Sequence, residues 1–214
     1  MLKFAYILIY IFIIFLISII YKRFNPNNKE ALRKIIHIGI GPLIPIAKFL
    51  DIDQTSALYF TGLISFLTFI NYQSKLFPTI EDVDRKSFGT LFYCLSLFIL
   101  IYIYWNKDPT SLIAGFFIMT FGDGFAGLIG KNFKSKSWFF LNQKKSLLGT
   151  MTMFITSLIV VFGLSYFQKY SLNINIFTIA FISTIIEQFS IFGIDNFFVP
   201  ISAAFFFNYF ITGL

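Results

Sequence analysis

AYILIYIFIIFLISIIY, residues 5–21, holds one Ser and no charged side chain. A bilayer's hydrocarbon core is spanned by about 20 mostly apolar residues in helical form, because each backbone N–H and C=O must find its partner inside the segment. The stretch therefore reads as a membrane-crossing helix. A cleaved secretory signal is the competing reading. No basic cluster precedes the run, however, and KRFNPNN follows it in place of a small-residue cleavage site.

The same character extends through the chain. Of 214 residues, 57% are hydrophobic, 32 are Phe, and the mean hydropathy is +0.78. Only 13% are Asp, Glu, Lys or Arg, against about 25% in a soluble domain. That is too little polar surface to cover a water-soluble fold. Apolar windows place helices at roughly 3–20, 36–50, 55–72, 88–105, 110–130, 147–167, 174–190 and 196–213. The second window contains Pro42, Pro45 and Lys48, so a kinked, tilted or re-entrant element is expected there, since Pro removes a backbone donor. Only IFGID separates the last two windows, which would become one element if they merged. The expected fold is an all-α, polytopic transmembrane bundle of about eight helices, or seven on that merger, in a single integral membrane domain over residues 1–214. Cys94 is the lone cysteine, which excludes an intramolecular disulfide or a cysteine-built metal site.

Charge orients the bundle. The loops at 21–35, 73–87, 131–146 and 191–195 carry 13 of the 17 basic residues, leaving only Lys3, Lys48, Lys107 and Lys169 for the other side. By the positive-inside rule these odd loops are cytoplasmic and both termini face outward. The net charge of +7 is thus mainly a topology signal. Nucleic-acid binding does not explain basic residues that alternate by loop, and no nucleic-acid module is present.

The scarce polar residues gather beside these same loops, where an ionisable group near a span marks a candidate site. In RKIIHIG, Arg33 and His37 are spaced to share one helix face; an interfacial basic anchor is the plainer reading. In DVDRKSFGT, Arg85 and Lys86 precede a helix start that attracts anions, or form an ordinary basic loop capped by Ser87. FGDGFAGLIGK is the most specific. Asp123 lies between Gly122 and Gly124, which permit irregular backbone or close ligand approach, and its carboxylate suits Mg²⁺. A kink with Asp123 bonded to backbone is the bland alternative. QKKSLLGT offers Lys145, Ser146 and Gly149 as a phosphate cradle at a helix start, or an anchor with a cap; it is not a P-loop. In IIEQFSIFGIDNFFVP, Glu187, Asp195 and Asn196 adjoin the last loop. Together with Asp123 these carboxylates would form an acidic metal cluster facing the basic residues. A bundle salt bridge for Glu187 and an N-cap for Asp195 are the structural readings. Convergence on one membrane face points to a site for a phosphorylated compound and a metal, with a lipid admitted from the side. The pattern alone does not separate phosphoryl transfer from anion transport.

In order and spacing, RKIIHIG, DRKSFGTLFY, GDGFAGLIGK, KKSLLGT and the stretch from Glu187 through DNFFVP resemble the CTP-dependent phytol, farnesol and dolichol kinase family. The closest likeness is to the phytol kinase-like members of cyanobacteria and plastids. The resemblance covers about Arg33 to the C-terminus; residues 1–32 are less characteristic. It implies transfer of a phosphoryl group from a nucleoside triphosphate, usually CTP, to the hydroxyl of an isoprenoid alcohol, with Mg²⁺. Phytol is favoured, with farnesol, geranylgeraniol and dolichol as further alcohols. Localisation would be a plasma or thylakoid-type membrane with the site facing the cytoplasm. Carried onto this chain, the resemblance assigns Asp123 to metal or triphosphate binding, and Lys145 and Ser146 to phosphates. Glu187 and Asp195 become further acids for metal or proton transfer, beside Asn196. Arg33, His37, Arg85, Lys86, Gly122, Gly124 and Gly149 complete the nucleotide site. Family members often carry Glu where this chain has Leu148. A phosphatidate cytidylyltransferase-like enzyme and a lipid or anion transporter are the alternative functions.

Overall fold

A computed structural model describes residues 2–26, 28–74, 88–141 and 143–213. Arg85 and Lys86 lie outside the described residues. The helices are α1 Leu2–Phe24, α2 Lys29–Ile40, α3 Leu43–Phe49, α4 Gln54–Ser74, α5 Gly89–Tyr104, α6 Pro109–Phe117, α7 Gly124–Asn132, α8 Leu147–Phe167, α9 Asn175–Phe189 and α10 Asp195–Phe207. A wide π turn, Ile118–Asp123, joins α6 to α7, and a second, Asn208–Thr212, extends α10. Taking α2 with α3, and α6 through α7, as broken single runs, the described residues form eight helical runs in an all-α bundle. Three of them are long and apolar enough to cross a membrane: Leu2–Phe24, Pro109–Asn132 and Leu147–Phe167. Two shorter apolar helices are Gly89–Tyr104 and Asn175–Phe189.

The expected kink in the second run is a full break. Pro42 has no N–H to continue the ladder, and the Gly41 amide bonds the Ile38 carbonyl at 3.1 Å instead of reaching back one more residue. That frees the His37 carbonyl, which accepts from the Tyr93 hydroxyl at 3.2 Å. The Gly39 carbonyl next to the break accepts from Tyr10 of α1 at 2.7 Å. The broken element is thus tied to α5 and α1 by the backbone groups the break exposes.

The last two windows are separate helices. Phe192 and Gly193 adopt positive φ of 54° and 84°, and this reversal turns α9 into α10. In the centre α6 lies directly on α10: a Cβ on Gly115 would come within 2.2 Å of the Pro200 carbonyl oxygen. Phe116, Leu112, Val199 and Phe207 fill that contact and are fully buried. By contrast α1 buries only Ile7, Ile14 and Ser18 and packs Tyr10 and Ile11 against the core; most of its other apolar side chains face outward, as expected of a helix in lipid.

One element departs from the all-α expectation. Residues 131–146 contain a hairpin, β1 Ser137–Phe140 with β2 Gln143–Ser146, paired antiparallel with Trp138 opposite Lys145 and Phe139 opposite Lys144. The segment lacks an apolar run of helical length, and its Trp-Phe-Phe core favours extended backbone. Ser146 ends β2 and caps α8 by accepting from the Gly149 amide at 3.2 Å.

At the end of the bundle away from this hairpin, Asp108 caps α6. It accepts from the Ser111 amide and hydroxyl, from Asn208 Nδ2 at 2.9 Å and from Thr212 Oγ1 at 2.9 Å. Every donor is accounted for, so the cluster reads as a structural clasp between α6 and the π turn after α10.

Candidate active site

The site is built where α2, the α6–α7 run, the start of α8, the end of α9 and the start of α10 meet. Lys34 on α2 reaches across to the π turn. Its Nζ lies 2.6 Å from Asp123 Oδ2 and 3.2 Å from the Asp123 carbonyl oxygen. His37, one turn further on, places Nε2 3.4 Å from the same carboxylate oxygen and 3.2 Å from the Met119 carbonyl. Its ring packs edge-on to Tyr93, with centroids 4.7 Å apart. Lys34, His37 and Asp123 are nearly excluded from solvent.

Glycines make this approach feasible. A Cβ on Gly124 would meet Ile38 Cγ1 at 2.4 Å, and one on Gly127 would meet Lys34 Cε at 2.6 Å. Gly124 and Gly127 are one turn apart, so α7 presents a flat stripe along which α2 and the Lys34 stem lie. Gly122 faces the other way, toward Met153 Sδ at 2.7 Å. The two glycines flanking Asp123 therefore bring α2 and α8 close to it. Gly124 has helical φ of −58°, so close packing rather than irregular φ accounts for its place. Gly130 and Gly149 do the same for α7 and α8: a Cβ on Gly149 would sit 3.2 Å from the Ala126 carbonyl oxygen.

A second pair repeats the first. Lys145, carried in by β2, donates to Glu187 Oε1 at 2.5 Å and to the Glu187 carbonyl at 2.8 Å. Glu187 Oε2 accepts from Gln188 Nε2 at 2.9 Å, and the same amide nitrogen donates to Thr150 Oγ1 at 2.7 Å. In both pairs a buried ammonium bonds the side-chain and main-chain oxygens of one acidic residue, which compensates for its desolvation.

Asp195, in the first turn of α10, completes the group. Oxygens of Asp123, Glu187 and Asp195 lie within 4.8 Å of one another. Asp195 Oδ1 is buried and has no hydrogen-bond partner among the described residues, and so is Asn196 Oδ1 beside it. Asn196 Nδ2 donates to the Gly89 carbonyl at 3.0 Å, joining α10 to the start of α5. Among the described residues, two ammonium groups pair directly with two of these three carboxylates. The donor set is all oxygen, closely spaced and partly unpartnered, which is what a hard divalent cation requires. These residues therefore fit Mg²⁺.

Arg33 does not join this core. It turns to Glu30 at 2.8 Å on its own helix. Burial pushes the Glu30 carboxyl up, but Arg33 more than offsets this and holds it below its ordinary value. Burial pulls the Arg33 guanidinium down, while Glu30, and behind it Asp123 and Asp195, keep it above its ordinary value. Of the residues singled out in the sequence, Asp123, His37, Lys145, Glu187 and Asp195 converge. Ser146, Gly122, Gly124, Gly149 and Asn196 hold the elements that carry them. Lys34, Gln188 and Thr150 were not among the expected site residues. Lys34 shares a helix face with Ile38, four positions on, and a basic residue in register with an inward Ile was the available signal.

No family model matches the chain, and no solved structure does. Curated proteins do. The chain is 33% identical over 186 residues to a phytol kinase of Synechocystis sp., covering 85% of this chain and 80% of that protein. It is 30% identical over 136 residues to a probable chloroplastic phytol kinase 2 of Glycine max, and 28% identical over 157 residues to phytol kinase 1, chloroplastic, of Arabidopsis thaliana. It spans 45% and 51% of the length of these two plant relatives. On the extent and identity of the cyanobacterial match, the chain belongs to the phytol kinase family.

Proposed function

We propose that this protein is a multi-pass membrane kinase that transfers a phosphoryl group from CTP to an isoprenoid alcohol, phytol first, giving the alcohol monophosphate. The observation that carries this reading is the convergence of Asp123, Glu187 and Asp195 with Lys34 and Lys145 at one end of an apolar bundle. That is the equipment of a site that works by positioning and charge neutralisation. The relatives named phytol kinase supply the substrate class. The site faces the cytoplasm and both termini face outward, on the strength of the 13 basic residues that alternate by loop. Apolar outward faces, such as that of α1, suit lateral access by a lipid alcohol.

Asp123, Glu187 and Asp195 would hold Mg²⁺, which when bound supplies charge neutralisation along the triphosphate. The rest falls to this chain's own side chains. Lys34 and Lys145 hold the carboxylates apart in the free enzyme and turn to phosphate oxygens when the nucleotide arrives. His37 buttresses Asp123. Arg33, Arg85 and Lys86 add cationic contacts at the nucleotide's approach. Asp195 is the general base through Oδ1, which has no hydrogen-bond partner among the described residues, while its other oxygen is the one offered to the metal. It takes the proton from the alcohol hydroxyl as that oxygen bonds to the γ-phosphorus. The bond from phosphorus to the bridging oxygen breaks and CDP leaves; the proton on Asp195 then passes to solvent. A helix-enclosed, apolar surround keeps water from competing with the alcohol.

Purified protein incubated with Mg²⁺, labelled CTP or ATP, and each of phytol, geranylgeraniol, farnesol and dolichol tests the reading. Label in an alcohol monophosphate is expected, strongest with CTP and phytol. Label in none of the alcohols, with a liponucleotide formed from CTP and phosphatidate, would establish the cytidylyltransferase alternative instead.

A further inference from the structure

The segment from Lys131 to Ser146 contains five lysines and no Asp or Glu. Lys145 alone is turned into the site; Lys131, Lys134, Lys136 and Lys144 are exposed. Four large apolar side chains stand out among them: Phe133 is 62% exposed, Trp138 40%, Phe139 75% and Leu141 64%. A two-stranded hairpin with strands this short is marginal in water. Here Phe140 meets Phe189 edge-on at 5.2 Å, and the Leu147 amide bonds the Lys136 carbonyl at 2.8 Å. These contacts leave the outer aromatic surface uncovered.

Placement decides what covers it. The hairpin connects the Pro109–Asn132 run to α8, and both are long and apolar enough to cross a membrane. It therefore lies at the depth where helices leave the hydrocarbon, where Trp rings partition and clustered lysines attract anionic lipid. We propose that the outer face of the β1–β2 hairpin is a binding surface for anionic phospholipid headgroups: Phe139 and Leu141 enter the headgroup layer, Trp138 stands half-exposed at the rim on the opposite face with its ladder partner Lys145, and the four exposed lysines contact lipid phosphates. The proposal rests on the membrane placement of the two flanking helices and is independent of the kinase chemistry. It has a mechanical consequence. Trp138 and Lys145 are ladder partners, so seating the hairpin in lipid holds the strand that delivers Lys145 to Glu187.

The chain has two Trp residues, and Trp105 is fully buried. Trp138 emission is therefore the difference between the wild type and Trp138→Phe. Both proteins are reconstituted in nanodiscs of phosphatidylcholine with 20% of either phosphatidylcholine or phosphatidylglycerol carrying bromine near the headgroup end of the acyl chain. Brominated phosphatidylglycerol is expected to quench the Trp138 signal about twofold more than brominated phosphatidylcholine. The joint replacement of Lys131, Lys134, Lys136 and Lys144 by Gln should abolish that preference while quenching by phosphatidylcholine remains. Equal quenching by both lipids in the wild type would overturn headgroup recognition. Quenching by aqueous acrylamide with none by either lipid would put the hairpin in water and overturn the proposal outright. Protection from all quenchers that grows with the number of protein copies per disc would show a second copy on this face, which also overturns it. Kinase assays on the same discs report separately, so loss of either result leaves the other interpretable.

Discussion

The Lys34 ammonium lies 2.6 Å from Asp123 Oδ2, across 89 positions of sequence, and also bonds the Asp123 carbonyl. Lys145 stands in the same relation to Glu187 across 42 positions. Two of the three clustered acids are thus held by lysines from elements on either side of them, and Asp195 has no cationic partner among the described residues.

Lys34→Met leaves a buried carboxylate uncompensated. Breaking one side of such a pair costs on the order of 3–5 kcal/mol. The expected outcome is a large loss of thermal stability in detergent and loss of activity. Lys34→Met combined with Asp123→Asn should recover much of the stability and none of the activity. A double variant no more stable than Lys34→Met would show that the pair does not balance buried charge.

Asp123→Asn alone should keep the protein in the membrane and greatly reduce phosphoryl transfer, since shape is retained and the charge proposed to hold the metal is lost. Full activity in this variant would remove Asp123 from the proposed chemistry.

Asp195→Asn should lower kcat by about 10²–10⁴-fold, the usual contribution of a positioned general base, with little change in the KM for the alcohol. A rise in KM with kcat unchanged would assign Asp195 to binding instead.

Two Gly→Ala variants should separate fold from site. In Gly127→Ala the added methyl meets the flexible end of Lys34, which shifts while keeping its carboxylate partner; the stability loss should stay near about 1 kcal/mol while activity falls as the ammonium's placement changes. In Gly115→Ala it meets the Pro200 backbone carbonyl, which cannot yield, so a loss of roughly 1–3 kcal/mol or more is expected from overpacking. Thermal melts alongside activity assays check both; equal melting temperatures for the two would contradict the packing argument.

Reporter fusions at positions 140 and 170 test the orientation. Position 140 should report cytoplasm and position 170 the opposite side. A reporter at 140 facing outward would contradict the proposed orientation.

The one-dimensional record was sufficient for whatever depends on runs and counts. Apolar length located the helical runs, because a spanning segment must satisfy its backbone within itself. Pro42 marked the break after α2. The motifs around Asp123, Lys145 and Glu187 named most of the acids and cations that meet. Pairing was not readable in this way. Arg33 and Lys34 are adjacent, yet about 100° apart around a helix, and which of them meets Asp123 depends on how α2 is rotated onto the glycine stripe of α7. Arg33 looked equal to the task in sequence; packing through Gly124 and Gly127 gives it to Lys34. The glycines beside Asp123 read as freedom for a ligand or irregular backbone; the π turn through Gly122 supplies the irregularity, and tertiary contact adds the close helix approaches. The hairpin at 137–146 likewise escaped the hydropathy reading, since its strands are too short to carry a periodic signal. Length and composition therefore determined that this chain is a helical membrane protein whose basic residues alternate by loop. Only the rotation and contact of packed helices decided which lysine neutralises which acid, and which acid has no cationic partner among the described residues.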